Sequence, residues 1–173
     1  MGSLRAVLAP ARGWFWLALA ILVVALDQAT KLLATGMLEY ASPVRVMPFL
    51  NWTLLHNTGA AFSFLSDAGG WQRWFFTLLA AVVSGVLVVW IFRLRGPLHL
   101  QKFSLALILG GALGNLWDRV VLGYVVDFIQ LHYQQTYFFP AFNIADSAIT
   151  LGAVFLVADS LFNSAEQMPK EEK

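Results

Sequence analysis

The chain has 173 residues, of which 59% are hydrophobic and 12% charged, with a formal net charge of +1; a soluble domain is about 45–50% apolar and about 25% charged. These proportions exclude intrinsic disorder and an ordinary water-exposed globule, and the small net charge offers no field for nucleic acid or another polyanion. The absence of cysteine excludes disulfides, thiolate nucleophiles, Cys-ligated zinc and iron–sulfur clusters.

Four apolar runs approach the roughly 20 residues that a helix needs to cross a hydrocarbon core. They fall at about 14–33, 74–92, 103–119 and 144–162 and predict one integral membrane domain over 1–173. The first run follows Arg5 and Arg12 and could pass for a signal peptide cut after Val23-Val24-Ala25, but it stays apolar through Leu26, Leu32 and Leu33, which is span length. The second has no ionisable side chain. The first carries Asp27 and Lys31, the third ends on Asp118 and Arg119, and the fourth holds Asp146 and Asp159. Without water to bond the backbone, such runs are expected to be helices.

Of the 11 Lys and Arg residues, seven (Arg5, Arg12, Arg93, Arg95, Lys102, Lys170, Lys173) fall on the side of the termini and four (Lys31, Arg45, Arg73, Arg119) on the other. The excess of positive charge predicts cytoplasmic termini. The connector 93–102, with Gly96-Pro97, reads as a simple turn. The outer segments 36–70 and 120–142 are too long and apolar for solvated loops. Val44, Val46, Phe49 and Trp52, then Phe62 and Phe64, alternate about the turn signal Asn57-Thr58-Gly59, and residues 125–131 and 137–139 flank Gln134-Gln135. A small sheet on the outer face is expected.

Ionisable and amide groups at membrane depth are functional candidates by default. Asp27 and Lys31, four residues apart, can pair along one helix face. Asn115, Asp118 and Arg119 share a face at the end of the third run, where Asp118 with Arg119 could be a simple charge pair. Asp127 lies in the apolar string Val125-Val126-Asp127-Phe128-Ile129, where an unpaired carboxylate is poorly solvated. Asn143 and Asp146 are spaced as an N-cap and its N3 acid. Each has a bland structural reading; together with Asn57 they collect at one level, whereas an ion relay would space such groups through the membrane. A noncatalytic assembly protein would leave Asp127 unexplained. His56, His99 and His132 lack metal-ligand spacing and no G-x-S-x-G elbow is present. Paired carboxylates sharing a proton remain, with Asp127 and Asp146 the best pair. Gly110 and Gly114 are spaced for close helix packing.

The strings Asp27-Gln28-Ala29-Thr30-Lys31, Asn57-Thr58-Gly59-Ala60-Ala61-Phe62, Gly114-Asn115-Leu116-Trp117-Asp118-Arg119, Gly123-Tyr124-Val125-Val126-Asp127-Phe128 and Phe142-Asn143-Ile144-Ala145-Asp146 closely resemble, in order, those of bacterial lipoprotein signal peptidase, signal peptidase II. The resemblance implies an all-α membrane fold, a four-helix bundle with a small extracytoplasmic β-sheet cradle. It implies an aspartyl endopeptidase of the bacterial inner membrane that removes signal peptides just before the diacylglyceryl-modified cysteine of prolipoproteins, and that globomycin inhibits. Carried over, Asp127 and Asp146 match the catalytic dyad; Asn57, Asn115, Arg119 and Asn143 match residues lining the substrate and inhibitor site. Asp27, Lys31 and Asp118 match supporting positions. No metal or other cofactor is expected, the partners being prolipoprotein and membrane lipid, and the chain is expected to act as a monomer.

Overall fold

Backbone groups in apolar runs must close their hydrogen bonds within the segment, and in this protein four segments do so as helices: α1 (Ala9–Met37), α2 (Trp71–Arg93), α3 (His99–Val121) and α4 (Ile144–Glu166). Between them lie strands β1 (Val44–Met47) and β2 (Leu50–Asn57), then β3 (Val125–Tyr133) and β4 (Tyr137–Phe138). The structure, a computed structural model, describes residues 9–59, 70–95 and 98–166. The alternation expected at Phe62 and Phe64 lies outside the described residues.

Three helical stretches are long and apolar enough to cross a membrane: Gly13–Met37, Trp71–Arg93 and Ile144–Phe162. Their outward faces are apolar, with Ile21, Leu32, Trp74, Leu78, Val157 and Phe162 all exposed, while Asp27, Lys31, Asn115, Asp118 and Arg119 are buried. This inverts the soluble pattern, in which buried charge is rare and large exposed apolar patches are small. α3 spans 23 residues but differs in composition, because it is the central helix and packs against α1, α2 and α4. Its run of small residues serves that position. A Cβ on Gly110 would come 2.6 Å from Val23 Cβ and 2.7 Å from the Ala20 carbonyl oxygen of α1, so the Gly110/Gly114 spacing does mark a close helix approach. Gly111, on the next face, abuts Ala145 and Ile149 of α4. The apolar core lies among α1, α2 and α3, around Trp16, Ala20, Leu87, Ile91, Leu105, Ala106 and Leu109.

The strands form one antiparallel sheet in the order β1-β2-β3-β4. The first hairpin turns at Pro48-Phe49, nine residues ahead of the Asn57 turn signal that sequence patterning emphasised; Asn57 instead ends β2. Its turn chemistry is nonetheless present, since Asn57 Oδ1 accepts the Gly59 N–H at 3.0 Å. The second hairpin is as expected: Gln134 and Gln135 both take positive φ, 52° and 55°, and the Thr136 N–H returns to the Tyr133 carbonyl at 3.0 Å. β2 and β3 are in register from Leu50↔Leu131 to Asn57↔Val125, with a bulge between Trp52 and Leu55. α3 is joined to β3 through Gly123, whose φ of +90° suits only glycine at a helix end.

Gly111→Ala should lower thermal stability by about 1–3 kcal/mol, because a methyl there must displace α4 backbone, whereas Gly85→Ala, with nothing within 4 Å, should leave it unchanged or slightly higher. Thermal melting of the two detergent-purified variants checks the contrast, and equal melting points would contradict the α3–α4 approach described.

Candidate active site

The polar groups gather where the ends of α1 and α3, the start of β3 and the N-terminus of α4 converge. At the base of the cluster is an ion triad. Lys31 Nζ lies 2.7 Å from Asp27 Oδ2 and 2.9 Å from Asp118 Oδ2, with no more than 3% of any of these side chains exposed. The i, i+4 pairing of Asp27 with Lys31 is thus present, but Asp118 pairs with Lys31 rather than with its neighbour Arg119. Adjacent helical residues project about 100° apart and do not face one another. Gln28, which sequence reasoning passed over, donates to Asp118 Oδ1 at 2.8 Å. A polar side chain inside an apolar run was the available signal.

The triad also fixes backbone. Asp27 Oδ1 accepts the Ala145 N–H of α4 at 2.9 Å, one of the donors that a helix start leaves unpaired. Asp118 Oδ2 accepts the Val126 N–H of β3 at 3.1 Å. Gly114 makes the approach possible, since a Cβ there would fall 2.6 Å from Asp27 Oδ2. Arg73 of α2, also missed in the sequence, closes the end of α3: its guanidinium donates to the carbonyls of Arg119 at 2.9 Å and Val120 at 3.1 Å, a favourable place for a cation.

Above the triad are Asp127 and Asp146, held by three asparagines. The Asn143 side chain caps α4, its Oδ1 accepting the Asp146 N–H at 2.9 Å; Asp146 Oδ2 accepts the Asn143 N–H in return at 3.3 Å. The expected N-cap and N3 acid therefore form a reciprocal capping box. The same Asn143 also reaches β3, where its Nδ2 donates to Asp127 Oδ1 at 2.7 Å. It can do so because Phe142 bridges Ile129 across the edge of β3, bringing the start of α4 beside Asp127. From the other edge, Asn57 Nδ2 donates to Asp127 Oδ2 at 3.0 Å, and Asn115 Nδ2 donates to Asp146 Oδ1 at 2.8 Å. Arg119 lies alongside, donating to the Gly59 carbonyl at 2.8 Å and to the Asn115 carbonyl at 3.2 Å, with its guanidinium 5.7 Å from the Phe76 ring centre.

All nine residues singled out from the sequence therefore meet in one network. Asp127 is only 2% exposed. Burial pushes its carboxyl up to about 7, and the charge of Asp146 adds to the rise, against the opposing hydrogen bonds of Asn57 and Asn143 and the charge of Lys31. A carboxyl so placed can hold its proton near neutral pH and give or regain it during a reaction. Among the described residues no group of three or more His, Asp or Glu side chains is arranged to hold a metal ion. Of the other histidines, His56 stacks on Tyr124 with ring centres 3.9 Å apart, on the sheet beside the site.

Comparison with known proteins identifies the family. The family profile of signal peptidase (SPase) II matches residues 19–162. The chain is 61% identical over 155 residues to the lipoprotein signal peptidase of Acinetobacter baumannii, covering 90% of this chain and 87% of that one. To the lipoprotein signal peptidase of Pseudomonas putida it is 54% identical over 157 residues, covering 90% of this chain and 91% of that one. A solved structure described as a bacterial membrane enzyme superposes with a TM-score of 0.79 at 32% identity, covering 92% of this chain and 94% of the other. Together with three helices apolar enough to span a membrane, these findings fit a bacterial membrane enzyme. A family match over residues 19–162, with relatives 54–61% identical over about 90% of the chain, places the chain in the signal peptidase II family: it is a lipoprotein signal peptidase.

Proposed function

We propose that the protein is an aspartyl endopeptidase that cuts prolipoproteins just before their diacylglyceryl-modified cysteine, with Asp127 and Asp146 as the catalytic pair. The observation that carries this reading is the double engagement of Asn143, which donates through its side chain to Asp127 at 2.7 Å and through its backbone to Asp146 at 3.3 Å. One residue thereby ties both carboxylates to the start of α4. Burial and the charge of Asp146 raise Asp127 to about 7, which suits a pair that shares one proton; in this reading Asp127 carries that proton and Asp146 is the base.

In the forward step Asp146 takes a proton from water as the water oxygen bonds to the scissile carbonyl carbon, and Asp127 gives its proton to the carbonyl oxygen. The tetrahedral diol then collapses: the C–N bond breaks, the amine nitrogen receives the proton from Asp146, and a hydroxyl proton returns to Asp127. No covalent enzyme intermediate is required. Asn57, Asn115, Arg119 and Asn143 line the site for substrate and for globomycin-type inhibitors, and Asp27, Lys31 and Asp118 support it.

The same placement supports a membrane setting for this reaction. All four helices cross the bacterial inner membrane, α3 shielded by the other three, with both termini cytoplasmic and the sheet on the outer side as a cradle. A diacylglyceryl cysteine is held by its acyl chains in the leaflet, so the dyad at the outer end of the bundle meets the bond at the interface. The enzyme acts as a monomer on substrate delivered through lipid.

Asp127→Asn and Asp146→Asn should each lower turnover of a purified diacylglyceryl-modified prolipoprotein by about 100-fold or more while melting as folded proteins. Near-normal turnover by a folded variant would remove that aspartate from the pair.

The pH dependence has a definite sign. The unfolded Asp127 carboxyl, near 3.8, loses its proton before the folded one, near 7. Its contribution to stability is therefore fully present below the lower value and is lost as pH rises toward the upper. Wild-type turnover should decline above about pH 7 as Asp127 ionises, and Asp127→Asn should lose less melting temperature than wild type between pH 5 and pH 8. A parallel fall in both proteins would contradict the raised carboxyl.

A further inference from the structure

The Lys31 ammonium has three hydrogens and three close partners. Two of them, Asp27 Oδ2 and Asp118 Oδ2, balance its charge. The third is neutral: Asn115 Oδ1, at 3.0 Å. Charge balance does not call for this contact, and its effect is on the orientation of the Asn115 amide. Oδ1 also accepts from Asn143 Nδ2 at 3.2 Å. Turning the amide over would set an NH2 group against two donors that have nothing to offer it, at the cost of a buried unsatisfied contact. The amide is therefore held one way round, and its Nδ2, 2.8 Å from Asp146 Oδ1, can only donate.

The consequence is a directed chain from a buried cation to a reacting carboxylate. Lys31 donates to Asn115, Asn115 donates to Asp146 Oδ1, and the Asn143 N–H meets Asp146 Oδ2. Both Asp146 oxygens thus accept N–H groups, and the one on Oδ1 owes its direction to Lys31 through Asn115. We propose that Lys31 is a positioning residue for hydrolysis: by orienting Asn115 it commits an N–H to Asp146 and keeps that carboxylate an acceptor, ready for the proton of the attacking water. This goes beyond charge compensation within the triad. It rests on the dyad reading above, in which Asp146 is the base.

The test separates orientation from folding. Lys31→Met alone would strand two buried carboxylates, so Lys31→Met/Asp118→Asn is the variant to use, because it removes one positive and one negative charge together. Asn115→Asp is the second variant; it keeps Lys31 and its partners but puts an oxygen where the donor to Asp146 stands. Cleavage of a diacylglyceryl-modified prolipoprotein is followed from pH 4.5 to 8.5, with kcat and KM resolved at each pH and thermal melting as the control for fold.

In both variants the acidic limb of the kcat profile should move to higher pH by about one unit, since the base is harder to ionise. Turnover at pH 6 should fall by about tenfold, with KM changed by less than about threefold because the interaction acts on the reacting state. A folded variant of either kind with the wild-type profile, or one whose loss lies in KM, would overturn the proposal; if the double variant does not fold, Asn115→Asp decides. Failure of the dyad itself is seen separately, as retained turnover in Asp127→Asn or Asp146→Asn.

Discussion

A lysine ammonium with 3% of its side chain exposed is the constraint from which the rest of the arrangement can be followed. An unpaired cation in so dry a place costs several kcal/mol even after relaxation, so carboxylates and amides must be brought to it. Asp27 comes from the turn before it on α1, Asp118 from the last turns of α3, and Asn115 from one turn earlier on α3. Each partner has a second obligation: Asp27 takes an α4 backbone N–H, Asp118 takes one from β3, and Asn115 reaches Asp146. The ion triad therefore sets α1, α3, β3 and α4 with respect to one another. Removing Lys31 leaves both carboxylates buried without their cation, which costs more than the triad stabilises relative to an apolar core.

Such a polar interior needs an apolar exterior to hold it. The bundle buries Asp, Lys, Asn and Arg at the convergence of its helices and turns Ile, Leu, Trp and Val outward. The low-dielectric surroundings strengthen each hydrogen bond in the network and penalise each missing one. They also account for Asp127: burial is the largest cause of its raised carboxyl, ahead of the charge of Asp146. A soluble scaffold would have to surround the same groups with a large dry core, whereas this chain has only 173 residues.

What was legible in the sequence is what local chemistry controls. Apolar runs give helices because the backbone has no other partner, yet α1 extends to Ala9–Met37 beyond the 14–33 run, since helical ends need no apolar side chains. The capping box was legible because Asn143 and Asp146 interact three residues apart on the same chain. α3 read as a span like the others, although its apolarity is lower; small residues meeting three neighbouring helices replace the bulky ones. The meeting of Asn57 with Asp127 was not legible in geometric terms. It depends on β2–β3 register across a bulge between Trp52 and Leu55, and one residue of slip would turn Asn57 to the opposite face. The resemblance to signal peptidase II had already joined these residues in one site, without saying which atoms meet.

Three asparagines do the joining, and the choice of residue has a physical reason. An amide has one end that donates and one that accepts, with nearly the same shape, so its orientation must be decided by its neighbours. In each case a donor claims the oxygen: the Gly59 N–H for Asn57, the Asp146 N–H for Asn143, and the Lys31 ammonium for Asn115. The NH2 groups are then left to face the carboxylates. An aspartate at any of the three positions would keep the shape but present oxygen to oxygen, and a serine would be too short to span both partners. In the proposed mechanism, a rigid set of donors that needs no reorientation when charge shifts between the two carboxyls is what preorganised electrostatic stabilisation requires. Here that rigidity comes from backbone at two of the asparagines and from a buried cation at the third.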